Sequence, residues 1–266
     1  MKEGVSSDAA VVLQRADGVA TVTMGRPAED NRLTPEVMEA LGGAAADLAT
    51  DESTQAVVLI GRGAEFFSMG ILSPTVRASY TKAQVLELVR TGNRLFDAIE
   101  ALPQIVIAAL NGTTRAGAAE LALACDIRLA ARHATFAVPE ALWGGFPGAG
   151  GTVRLPALVG KQRALEIICT GRVLDAAELE RLGLVLAVHP ADQLLAEAQA
   201  LAARIAASGP LATRGAKRIF AARTSPGFAE ARALSDSLRH ALEFSADIEE
   251  GAAAHREGRR PRFTGR

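Results

Sequence analysis

Glu120 and Glu140 stand twenty residues apart, each just past a bend marked by glycine or proline and each beside an apolar run. The first lies in Asn111-Gly-Thr-Thr-Arg-Ala-Gly117-Ala-Ala-Glu120-Leu-Ala-Leu-Ala-Cys-Asp126, the second in Phe136-Ala-Val-Pro139-Glu140-Ala-Leu-Trp-Gly-Gly-Phe-Pro-Gly-Ala-Gly-Gly151. Paired carboxylates beside glycine-built turns can activate water while exposed N–H groups hold a developing oxyanion. That pairing reads as an enzyme. Each glutamate alone has a plainer reading, because an acid in a first helical turn often does no more than face the helix dipole.

The elements that must position this pair follow from local signals. Val11–Gln14 and Val19–Met24, split by Ala16-Asp17-Gly18, read as a hairpin. Thr34-Pro35-Glu36 opens a helix running to about Ala49, with a hydroxyl cap, a proline in the first turn and an acid at the positive end. Ala56–Ile60 and Gln104–Leu110 are apolar strands, and a helix is expected from about Thr81 to Leu102 between them. Gly117–Ala124 is the next helix, then strands at Ile127–Ala130 and Thr135–Val138. Helices follow at Gly151–Val159, Lys161–Thr170 and Ala176–Leu182, the last behind an Asp175-x-x-Glu178 capping box. Leu184–Val188 is the last expected strand. Ala191–Ala207, Leu211–Arg223, Phe228–Phe244 and Ile248–Glu257 read as helices by apolar spacing.

The totals bound the function class. The chain has 266 residues, 49% hydrophobic and 22% charged, enough for a substantial buried core. A formal net charge of -1 gives no electrostatic case for nucleic acid or an anionic membrane. One basic cluster, Arg256, Arg259, Arg260, Arg262 and Arg266, is either a solvated tail or a phosphate contact. Cys125 and Cys169 make neither a disulfide framework nor a metal site, and His133, His189, His240 and His255 lack metal-ligand spacing. The N-terminal residues lack a signal-peptide core and no apolar run reaches membrane-helix length, so a cytoplasmic protein is expected. Gly148-Ala-Gly150-Gly151 fails as a dinucleotide fingerprint because Val153 stands where its third glycine belongs. No P-loop and no G-x-S-x-G elbow is present.

Taken together, the motifs resemble the crotonase superfamily, the enoyl-CoA hydratase/isomerase family. They are Arg26-Pro27 with Asn31, Gly61–Leu72, Leu95–Pro103 leading into Val106–Gly112, and Glu120–Arg128. Pro139-Glu140, Pro147–Thr152, Arg154-Leu155 and Glu257–Phe263 complete the set. The resemblance implies an α/β fold: a spiral of β-β-α units over residues 1–195 holding the active site, then a C-terminal helical oligomerisation region over 196–266. It implies a homotrimer or hexamer, an acyl-CoA thioester substrate, and no cofactor or metal beyond the CoA moiety. Glu120 and Glu140 match the two acid/base glutamates of hydratases. Met69 and Gly117 match the oxyanion-hole donors, and Gly148 can offer its N–H to water. Ser68, Gly70, Ile71 and Leu72 are expected along the thioester, with Arg26, Phe263 and Arg266 as CoA contacts, the last two toward a neighbouring subunit.

The chain also departs from the family pattern. Met69-Gly70-Ile71-Leu72 stands where Ala-Gly-Ala-Asp is usual, and Ala116 and Ala118 replace two loop glycines. Alanine fits there unless φ is positive. Arg115 replaces an apolar residue; it either faces a catalytic acid or a polar substrate group, or makes an outward ion pair. Trp143 either walls the acyl pocket or packs loop against helix. Hydration or dehydration is the leading expectation. Isomerisation or thioester hydrolysis at the same site is the alternative, and a non-catalytic binding or assembly role is the reading from another class.

Overall fold

The computed structural model describes residues 9–224, 245–247, 250, 254, 257, 259 and 262–266. β1 (Val11–Ala16) and β2 (Val19–Met24) form an antiparallel hairpin across Asp17 and Gly18, both at positive φ. β2 pairs in parallel with β3 (Ala56–Gly61). The parallel ladder continues through β5 (Ile105–Leu110), β7 (Ile127–Ala131) and β10 (Ala187–His189). This six-stranded sheet has the order β1-β2-β3-β5-β7-β10. A second sheet of very short strands joins β4 (Phe66–Ser68), β6 (Thr113–Arg115), β8 (Thr135–Ala137) and β9 (Leu174–Asp175) in that order, with only the last pair antiparallel.

The chain passes from the large sheet to the small one three times, β3 to β4, β5 to β6 and β7 to β8. Helices carry it back, and this is the spiral of β-β-α units. β3 and β5 are apolar along their length and buried at nearly every position, as parallel strands covered on both faces must be.

α1 (Pro35–Thr50) packs against β1 and β2 and against α3 (Lys82–Glu100). A four-residue helix, α2 (Pro74–Arg77), precedes α3. α4 (Gly117–Ala124), buried at all its positions, lies between α3 and α5 (Gly151–Val159). α6 (Lys161–Thr170) packs on α5 and on the 3-10 turn Pro139–Trp143, and α7 (Ala176–Arg181) follows. α8 (Leu194–Ala206) lies across β2, β3, β5 and β7, burying Leu194, Ala198 and Ala202. The expected boundary at residue 195 therefore falls within a helix of the core. α9 (Pro210–Thr224) closes the continuous part of the structure, and the helices expected at 228–244 and 248–257 lie largely outside the described residues.

One expected strand is displaced. The last strand is Ala187–His189 rather than Leu184–Val188, because the Leu184 and Val185 N–H groups donate to Leu179 O at 2.9 and 3.3 Å and close α7. Among the described residues no helix is long and apolar enough to cross a membrane.

Candidate active site

Two asparagines fix the loop before α2. Asn111 donates from Nδ2 to Gly61 O at 3.0 Å, Gly63 O at 2.8 Å and Phe66 O at 3.3 Å, while its Oδ1 accepts from Gly61 N at 3.0 Å. Asn31, at φ 50°, donates to Arg62 O and Phe66 O, each at 2.8 Å. The loop then turns at Gly70, φ 79°, where Gly70 N donates to the buried Ser68 Oγ at 3.0 Å. A β-carbon at position 70 would lie 2.8 Å from Gly117 N, and one at 117 would lie 3.2 Å from Ile71 N. Glycine at both places lets Ile71 and Gly117 come together at the cavity.

Gly117 is the first residue of α4, so its N–H has no intrahelical partner. Neither the Ile71 nor the Gly117 N–H donates a hydrogen bond among the described residues. Met69 is different. Its N–H donates to Asp30 O at 3.1 Å, and Met69 does not line the cavity. The expectation that Met69 supplies an oxyanion donor is therefore corrected: the turn at Gly70 commits the Met69 amide to the backbone and leaves the Ile71 amide free.

The same α4 brings Glu120, 3% exposed, to a cavity of about 420 Å³ that Glu140 also lines. Glu120 Oε1 accepts two backbone bonds, from Ala149 N at 2.7 Å and Gly151 N at 2.9 Å. The donor loop is clamped in turn. Asn93 of α3 donates to Gly148 O at 2.8 Å, and Arg154 donates to Ala149 O at 3.3 Å. Arg154 also binds Asp97 at 2.5 Å and Glu100 at 2.7 Å, tying α5 to α3. Beneath α4, the buried Arg128 donates to Ala122 O and Cys125 O, satisfying carbonyls at the helix's negative end, and to Leu184 O beyond α7.

Glu140 comes from the 3-10 turn Pro139–Trp143, and its buried Oε2 has no hydrogen-bond partner. Burial pushes the Glu120 carboxyl up to about 7 against the opposing Gly151 and Ala149 N–H bonds, and the charge of Glu140 adds to the rise. Burial likewise lifts Glu140 to about 7, opposed by its own backbone N–H and by the positive charge of Arg115. Two carboxyls poised near neutrality in one cavity can serve as base and acid at the same pH.

The enoyl-CoA hydratase/isomerase family model matches residues 14–266. The chain belongs to the enoyl-CoA hydratase/isomerase family. It is 34% identical to crotonyl-CoA hydratase of Syntrophomonas wolfei, over 78% of this chain and 79% of that one. It is 32% identical to 2,3-dehydroadipyl-CoA hydratase of Escherichia coli, over 96% and 99%. A crystal structure of enoyl-CoA hydratase from Bacillus anthracis matches with a TM-score of 0.93 at 33% identity, covering 97% of this chain and 100% of that one. The spiral is therefore the crotonase fold, in an enzyme family of hydratases and isomerases.

Within this member of the enoyl-CoA hydratase/isomerase family, the positions singled out from sequence divide. Glu120, Glu140, Gly117, Ile71, Leu72, Trp143 and Gly148 all line one cavity. Ser68 and Gly70 lie just behind it and shape the turn. Arg26 does not line it; its guanidinium pairs with Glu36 at 2.5 and 3.0 Å. Phe263 sits by Gly209 and borders a separate hollow with Pro210 and Arg214, while Arg266 lies exposed at the end of the chain. Arg115 faces Glu140 electrostatically without a hydrogen bond to it, which favours the reading that turned it toward a catalytic acid. Residues missed from sequence are Val85, Val89 and Phe146, which line the cavity, and Asn93, which clamps it. Their only signal was the apolar spacing of α3 and one aromatic beside Pro147.

Proposed function

We propose that this protein is an enoyl-CoA hydratase that adds water across the Cα=Cβ bond of a 2-enoyl-CoA thioester, or removes it. The thioester oxygen sits between the N–H groups of Ile71 and Gly117, where the dipole of α4 favours negative charge. Glu120, anchored through Oε1, takes a proton from water while the water oxygen bonds to Cβ. The π electrons move onto the thioester as an enolate, and Glu140 gives its proton to Cα. Proton exchange between the carboxyls, directly or through solvent, restores the starting state. The observation that carries this reading is the pair of raised carboxyls beside two uncommitted backbone donors in one cavity. Isomerisation needs mainly one carboxyl, so the pair favours hydration.

Incubation with a 2-enoyl-CoA in heavy-oxygen water tests this. The product should gain the mass of one labelled water, and a product of unchanged mass with a moved double bond would assign isomerisation instead. The assembly we propose is a homotrimer or a pair of trimers, in which Phe263 and Arg266 reach a neighbour's CoA. Neither residue lines the chain's own catalytic cavity, which supports that reading.

A further inference from the structure

We infer, resting on the hydratase reading above, that this site takes a bulky apolar acyl group. The preferred substrate is a medium-chain or aryl-substituted 2-enoyl thioester rather than a four-carbon one, and Leu142, Trp143 and Phe146 are the side chains that read it. An acyl carbon takes up about as much room as one water, about 30 Å³. A four-carbon acyl group would therefore fill about 120 Å³ of the 420 Å³ cavity, leaving the remainder to the thioester, the start of its CoA arm and a longer acyl group. Beyond the two carboxyls the walls are largely apolar, with Ile71 and Leu72 on one side and Val85 and Val89 of α3 on another.

The third side is unusual. Leu142, Trp143 and Phe146 are 63%, 39% and 68% exposed, yet all three line the cavity. Three large apolar side chains grouped at the mouth of a catalytic cavity form a surface that an apolar ligand covers. Their segment is held in place: Gly145 N donates to Glu140 O at 2.8 Å, Gly144 N to Ala141 O at 3.2 Å, and α6 packs beneath the turn. Leu142 rests over Gly171, where a β-carbon would come within 2.8 Å of its Cγ. The same turn carries Glu140. An acyl chain seated on Trp143 and Phe146 therefore registers its Cα against the proton donor through one rigid unit.

Two polar groups on the wall set the competing chemistry. Ser73 Oγ is occupied by the α2 cap, accepting from Val76 N at 3.2 Å. Arg77 is exposed and lines the cavity, so a chain ending in a carboxylate is the alternative occupant.

The test compares kcat/KM for crotonyl-CoA, 2-octenoyl-CoA, cinnamoyl-CoA and an eight-carbon 2-enoyl-CoA ending in a carboxylate. A fully buried methylene is worth about fourfold, so even partial burial should place the octenoyl and cinnamoyl thioesters at least tenfold above crotonyl. Trp143→Ala and Phe146→Ala should each lower the octenoyl value about tenfold, mainly through KM, and lower the crotonyl value far less. Crotonyl-CoA matching or exceeding octenoyl-CoA would overturn the proposal. So would a tenfold preference for the carboxylate-ended chain over octenoyl-CoA. If no thioester is hydrated, the hydratase reading fails, and calorimetric binding of saturated octanoyl-CoA against butyryl-CoA still judges this one: tighter octanoyl binding supports it, equal affinities overturn it.

Discussion

Ala116 sits at φ 52°, ψ −128°, backbone that suits glycine and strains any side chain. The strain is held by Ala116 N donating to Ala137 O at 3.0 Å, and it aims the Gly117 N–H at the cavity. Ala116→Gly should stabilise the protein by about 1 kcal/mol, read as a rise in thermal midpoint of about 2–4 °C for a chain this long. Arg115, one residue earlier, acts on charge. Its positive field opposes the rise in the Glu140 pKa, making that carboxyl a readier proton donor. With Leu at 115 the Glu140 proton is held to higher pH. In the proposed mechanism Glu140 works in its protonated form as the acid, so the alkaline limb of the kcat/KM profile should move upward in Arg115→Leu and return in Arg115→Lys. An unmoved limb would remove Arg115 from the proton economy of the site. Both features were open in the sequence and undecided there. The sign of φ at 116 depends on the β6–α4 junction, and an arginine in a three-residue strand can face either way.

At the scale of elements, side-chain amides stand in for missing sheet. Asn111 satisfies Gly61, Gly63 and Phe66 at the point where β3 ends and β4 begins, and it is 6% exposed. Asn111→Ala leaves those groups unpaired and should cost about 2–3 kcal/mol in urea unfolding, with turnover falling because the Ile71 turn loosens. Much of the element plan was legible, because capping is local. Thr34 and Asp175 accept from Val37 N and Glu178 N as their spacing foretold, and Thr81, expected only as a helix start, accepts from Gln84 N. The small sheet was not fully legible, since strands of two or three residues such as Leu174–Asp175 carry no period to read. The uncommitted amide of this turn lies two residues beyond the one expected, for a related reason. A backbone N–H leaves no side-chain signature, and the register of the Gly70 turn decides which amide is spent on Asp30 and which is left.

For the whole molecule, Lys217 is one tie between α9 and the large sheet. Lys217 donates to Gln104 O at 2.9 Å and to Asp126 Oδ2 at 2.7 Å, and Asp126 Oδ2 also accepts from Val106 N at 2.8 Å. Lys217→Met strands a largely buried carboxylate and should destabilise the fold by about 2–3 kcal/mol, seen as a lower urea midpoint with an unchanged slope. The family's overall architecture was legible from its spread of motifs, because those around Asn31, Gly70, Asn111 and Glu120 mark turns and buried contacts that position the site. The proposed chemistry rests on α4 and the Pro139–Trp143 turn bringing Glu120 and Glu140 to one cavity. The most direct test follows loss of 2-enoyl-CoA absorbance at neutral pH by the wild type, Glu120→Gln and Glu140→Gln, with each variant's fold checked by circular dichroism. Paired acid–base catalysis predicts that each substitution alone lowers kcat by at least about 10² while binding of the thioester persists. Full turnover in either folded variant would contradict the two-carboxylate account.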